Sequence, residues 1–215
     1  PPDIPEKEFA IYEENIALRQ QYNQPFSGSL FENIVALGMV LKGTDWAKQY
    51  IQANSPQLPD NLREGLTAFC LAKLYFYLGD YVETIAIINN IPPFYHHYYF
   101  PVKSQLMMAY FETNNYDAFL TTLDAFKHTL KNHPELAHKH RLAHTHMSTI
   151  LLKLFRLRIE YNPKQAAQIR KQLQDPELAL ESRQWAEKRL NDLEQEILNK
   201  QSVRGGLKAS KFALR

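Results

Sequence analysis

The stretch Leu71–Pro93, LAKLYFYLGDYVETIAIINNIPP, decides the fold class of this 215-residue chain. Up to Gly79, Leu66, Phe69, Leu71, Leu74 and Leu78 form a stripe of helical period. Gly79-Asp80 is a turn signal, because glycine accepts backbone angles that end a helix and aspartate bonds to nearby backbone amides. Tyr81 then opens a second apolar segment, and Pro92-Pro93 closes it, since proline cannot continue a helix interior. The stretch therefore reads as helix, tight turn, helix.

Working outward, the same pattern returns at a spacing of 35 on both sides. Thr44-Asp45-Trp46 aligns with Gly79-Asp80-Tyr81 and with Asn114-Asn115-Tyr116. The same offset pairs Val40 with Tyr75 and Tyr110, Leu41 with Phe76 and Phe111, Tyr50 with Ile85 and Leu120, and Ala53 with Ile88 and Leu123. Internal repeats of 20–50 residues are the mark of stacked-hairpin folds, in which each hairpin buries its stripe only against its neighbours. Prolines and periodicity together predict helices near 6–22, 29–42, 44–54, 60–78, 80–90, 97–113, 115–132, 135–160, 163–174 and 177–199. Alternating runs of β-branched residues are absent, and seven glycines are too few for Gly-rich phosphate loops. The fold class expected is all-α, built of antiparallel helical hairpins.

The three-fold pattern resembles the tetratricopeptide repeat over about residues 29–132. The family's tight-turn glycine looks like Gly79, its first-helix aromatic like Tyr75, its second-helix aromatic like Tyr81 and its closing proline like Pro92 or Pro93. The family's small residue in the first helix is matched by Ala72, whereas Leu37 and Met107 depart from it. So do Gln49, Thr84 and Phe119, which stand where the second helix wants a small side chain. As a whole the chain resembles uncharacterised bacterial proteins with degenerate repeats of this kind, a group with no established activity to carry over. The resemblance implies a right-handed superhelix with a concave groove. Its concave positions carry over to Phe69, Lys73, Phe76, Tyr77, Met108 and Phe111, with Gly38 in the preceding hairpin. Family members that clamp a terminal carboxylate need several Lys and Asn there. With only Lys73, and Lys42 at the edge, that clamp is not expected here. The groove's occupant is a protein or peptide partner, or another helix such as the chain's own terminus.

The domain expected is a single helical-repeat unit over 1–199, with the first helix and the helices after 132 as caps. A basic, flexible tail, KQSVRGGLKASKFALR, is expected over 200–215. Charge is unevenly distributed. Residues 1–126 carry seven Lys/Arg against fourteen Asp/Glu, and residues 127–174 carry ten against two, within a total of +2. Lys153, Arg156, Arg158, Lys164, Arg170 and Lys171 concentrate the surplus. They define a basic edge for an acidic protein, another copy of this chain or a nucleic-acid backbone. A nucleic-acid-binding helical repeat is the alternative function. It is disfavoured because base-reading repeats need polar side chains where this chain is apolar.

Other chemistry is sparse. There is no G-x-G-x-x-G, no phosphate loop, no G-x-S-x-G and no H-E-x-x-H. His140 and His144, four apart, would share a helix face, but a closed metal site needs further ligands and the segment has almost no acids. Cys70, flanked by Phe69 and Leu71, reads as a buried small hydrophobe. The run Phe94–Phe100 reads either as packing between hairpins or as an aromatic wall for a peptide. An enzyme or sensor assembled from distant residues would require a pocket with convergent titratable groups. The expectation is a non-enzymatic interaction scaffold without cofactor or metal. No apolar run approaches the about 20 residues of a membrane span. PPDIPEKEFA lacks the features of a secretory leader, and one Cys suits the cytoplasm. Because the chain opens on Pro rather than Met, it is also read as a piece of a longer protein.

Overall fold

The computed structural model describes residues 4–212 apart from 23, 25, 93–97, 134, 135 and 181, with the backbone alone at 20 and 200–212. Among the described residues the chain is all-helical, with ten α-helices, one short 3-10 turn and no strand. The helices are α1 (Ile4–Gln21), α2 (Gly28–Leu41), α3 (Thr44–Asn54), α4 (Asp60–Leu78) and α5 (Tyr81–Asn89). They continue with α6 (Tyr99–Glu112), α7 (Tyr116–Asn132), α8 (His138–Ile159), α9 (Pro163–Leu173) and α10 (Arg183–Phe212). Side-chain caps set three of the helix starts. Ser27 accepts from the Leu30 amide, Asp80 from the Glu83 amide at 3.0 Å, and Asn162 from the Lys164 and Gln165 amides, with Pro163 in the first turn.

Helix starts differ most from expectation after α9. Where helix was expected from 177, the described residues become helical only at Arg183. Asp175 accepts from the Glu177 amide at 3.0 Å, a local turn that competes with helix. Arg183 reaches back to donate to the carbonyls of Leu173 and Leu178, satisfying the open end of α9. At its other end α10 continues to Phe212, through most of the segment that sequence alone assigns to a flexible tail; residues 213–215 lie outside the described residues.

The chain divides into two compact units, residues 1–115 and 116–215, where one domain over 1–199 was expected. The boundary cuts the third expected hairpin between α6 and α7. Residues 1–115 carry seven Lys/Arg against twelve Asp/Glu, and 116–215 carry eighteen against eleven, so the charge asymmetry follows the division into units.

In the first unit α1 packs on α2, α2 on α3 and α4, and α4 on α5 and α6. Phe31, Ile34, Leu66, Phe69, Leu74, Leu106 and Phe111 fill the interior. The turn after α4 and the turn after α6 are the same device. Gly79 (φ 82°) donates to the Phe76 carbonyl at 3.1 Å and Asp80 to Tyr75 at 2.9 Å. Asn114 (φ 55°) donates to Phe111 at 3.1 Å and Asn115 to Tyr110 at 2.9 Å. These are Schellman closures, which need a left-handed residue, and Gly and Asn are the two that adopt it most readily. The bonded residues stand 35 apart, at 75/110, 76/111 and 79/114. The turn after α2 is different: Lys42 and Gly43 both donate to the Gly38 carbonyl, and the helix restarts at Thr44, so Trp46 lies within α3 while Tyr81 opens α5. The α4–α5 hairpin closes tightly where Thr84, fully buried, donates its hydroxyl to the carbonyls of Asp80 (2.8 Å) and Ala72 (3.3 Å).

In the second unit α7 buries Phe119, Leu123, Phe126 and Leu130, spaced four, three and four apart, the period of one helical face. Phe119 packs on Phe155 of α8 with ring centroids 4.6 Å apart, and Tyr116 lies 5.2 Å from the same ring. Ile169 and Leu173 of α9 and Ala186, Leu190 and Leu193 of α10 complete this core.

Candidate interaction surface

The six residues expected to line a groove fall into different environments. Phe69 and Phe111 have no exposed surface and Met108 almost none. A side chain without exposed surface packs the core and does not wall an open groove, so the sequence-based assignment of these three is corrected. Phe76 is half-buried, its ring edge-to-face with Tyr81 at 5.1 Å. Tyr77 alone of the six is well exposed, and it continues into Leu78 and Val82 around the α4–α5 turn.

Lys73 is half-buried and tied down. Its ammonium bonds the Glu32 carboxylate of α2 and stands 4.8 Å from the centre of the Phe69 ring. Around this pair lie buried Cys70 and Tyr98. Burial pushes the Cys70 thiol up, with the Glu32 charge adding to it and Lys73 opposing, so the nucleophilic thiolate is suppressed. Burial, then the Glu32 charge, pushes the Tyr98 hydroxyl up in the same way. The pair works as a clamp between α2 and α4. Glu32→Ala should lower stability in chemical denaturation by about 1–2 kcal/mol, because Lys73 is left poorly solvated without its acceptor. Adding Lys73→Met should recover most of the loss, since no desolvated charge then remains.

The basic edge is also divided. Lys153 donates to Gln172 at 2.8 Å, and Arg170 to Asn191 at 2.9 Å and to the Glu194 carboxylate. Arg156, Lys164 and Lys171 are exposed, and Arg158 is half-buried. Hence two of the six cations hold α9 to its neighbours and three face solvent. His140 and His144 do not form a pair: His140 is exposed, whereas His144 is buried edge-to-face on Phe126 at 6.0 Å. Among the described residues no group of three or more His, Cys, Asp or Glu is placed to hold a metal. In the aromatic run, 94–97 lie outside the described residues, while Tyr98 and Phe100 are core. No helix of the described residues is long and apolar enough to cross a membrane.

Among the described residues a second uncovered apolar surface, besides that of Tyr77, Leu78 and Val82, is on α1, a helix read from sequence only as a leading cap. Phe9, Tyr12 and Ile16 pack towards α2 with Leu30 and Ile34. On another face Ile4, Ile11 and Leu18, seven apart, are 65%, 62% and 48% exposed, and Tyr22, just past the helix, is 67% exposed. At 100° per residue these four lie within about 40° of one another and over 90° from the mean direction of the buried three. The end of this stripe borders an open hollow of about 230 Å³ lined by Asn15, Leu18, Arg19, Tyr22 and Gln24. A signal for it was present: α1 carries two apolar stripes where a cap helix at the surface needs one.

Comparison of the chain with protein-family models, with curated proteins and with solved structures finds no match.

Proposed function

We propose that this chain is a non-enzymatic helical-repeat scaffold that binds a protein, with α1 as its principal contact surface. The observation that carries the reading is the exposed line Ile4, Ile11, Leu18 and Tyr22. Exposed apolar side chains aligned along one helix face, every second turn, mark a candidate interaction surface. The repeat part of the reading is supported by the two identical turn closures 35 residues apart. A greasy ridge with a polar border suits a helix of a partner laid along it.

A second reading has its own observation. Arg156, Lys164 and Lys171 are exposed on a unit rich in Lys and Arg, which would favour a phosphate backbone. Affinity capture from lysate of the source cells, with and without nuclease, separates the two. The scaffold reading expects a nuclease-resistant protein partner that Ile11→Glu releases. Capture abolished by nuclease and falling steeply with salt, yet unaffected by Ile11→Glu, would favour nucleic acid instead.

A further inference from the structure

We infer that the partner which covers α1 is a second copy of this chain, paired through a two-fold axis at Ile11 with the two α1 helices antiparallel. The inference rests on the reading of α1 as a contact surface and goes further by naming the occupant. The stripe is symmetric about Ile11, with Ile4 seven residues before it and Leu18 seven after, a span of about 21 Å at 1.5 Å per residue. An antiparallel copy therefore sets Ile11 on Ile11 and Ile4 on Leu18, at both ends alike, as an isologous contact demands. It also brings Ile4 of the second copy to the hollow beside Leu18 and Tyr22, which otherwise stays open.

The charges bordering the stripe obey the same symmetry. Lys7 and Glu14, both exposed, lie on one flank of it, at about 60° and 80° from Ile4 around the helix axis. In the antiparallel pairing Lys7 of each chain faces Glu14 of the other, so one complementary pair is formed twice. An unrelated partner would have no reason to meet a border that is complementary to itself. On the opposite flank, about 40° from Ile4, the exposed Glu8 accepts from Tyr12 at 2.7 Å. With four apolar side chains contributed by each chain, the contact is small, so the dimer should be weak and concentration-dependent.

Sedimentation equilibrium of the full chain across micromolar to millimolar concentration tests this. A monomer–dimer equilibrium is expected, and Ile11→Glu should weaken it at least tenfold without altering the melting curve at concentrations where the wild type is monomeric, since Ile11 is exposed. Lys7→Glu and Glu14→Lys should each weaken dimerisation about threefold, and the double exchange should restore it to within twofold. This arm does not depend on the Ile11 variant folding. Ile11→Cys should form a disulfide-linked dimer under oxidation, whereas Ile4→Cys should not link to itself, because Ile4 faces Leu18. A wild-type chain that stays monomeric throughout overturns the inference, as does a dimer indifferent to Ile11→Glu or not restored by the charge exchange. A monomeric chain that still loses a captured protein on Ile11→Glu overturns the second-copy inference alone. Loss of neither dimer nor partner on that substitution overturns the contact surface as well.

Discussion

Phe69→Asp should unfold the first unit, whereas Tyr77→Asp, two helical turns further along α4, should leave its melting temperature nearly unchanged. Phe69 has no exposed surface and packs with Tyr98 (6.3 Å between ring centres) beneath the Lys73 ammonium. Truncating such a ring costs about 3–5 kcal/mol by itself. Replacing it with a carboxylate adds an ion without matched hydrogen bonds, a further several kcal/mol. The sum approaches the whole stability of a domain of this size, about 5–15 kcal/mol. Lys73 does not rescue it, because its ammonium is already engaged by Glu32. Tyr77 is 58% exposed, and a surface substitution of that kind changes stability by about 0.5 kcal/mol or less. Circular dichroism melts of the two variants make the comparison. Equal losses would mean that Tyr77 is covered, and equal tolerance would mean that Phe69 is not core.

The second large effect runs against helix propensity. Gly38 sits inside α2, where alanine would ordinarily stabilise by about 1 kcal/mol. Gly38→Ala should instead destabilise by about 1–3 kcal/mol, the cost of overpacking a filled site. A Cβ at Gly38 would come within 2.0 Å of the Trp46 ring. That ring has little room to retreat: it stacks on Tyr50 at 5.0 Å and stands edge-on to Phe9 at 5.5 Å. Denaturant titration measures the loss. Trp fluorescence should shift in the folded variant as the Trp46 indole is displaced, while a variant that is stabilised despite that shift would show that the ring yields freely. The same observation explains why a glycine occupies the middle of a helix, at a position that the repeat resemblance had placed on the concave surface.

The helices themselves were legible because the forces that begin and end them are local. Asp80, Asn162, Pro163 and the Gly79 and Asn114 turns act over three to five residues, a range that the sequence displays directly. Periodicity likewise marked every helix, and the all-α class followed. What it could not decide is which apolar stripe meets a neighbour. α1 has two stripes of similar strength, and only packing on α2 tells Phe9 from Ile11. On α4, Phe69 and Tyr77 look alike as concave positions, but one lies among other helices and the other at the open end beside the turn. Long cationic side chains behave the same way: Lys153 and Arg170 read as surface charge until Gln172, Asn191 and Glu194 arrive from residues 19 to 24 positions away. The sequence by itself determined the all-helical class, the helix order and the closure of two of the three repeated turns, because these depend on neighbours along the chain. The tertiary structure alone decided the division at Asn115, the burial of the expected groove residues and the exposed face of α1, because burial is set by distant segments whose contacts no local pattern records.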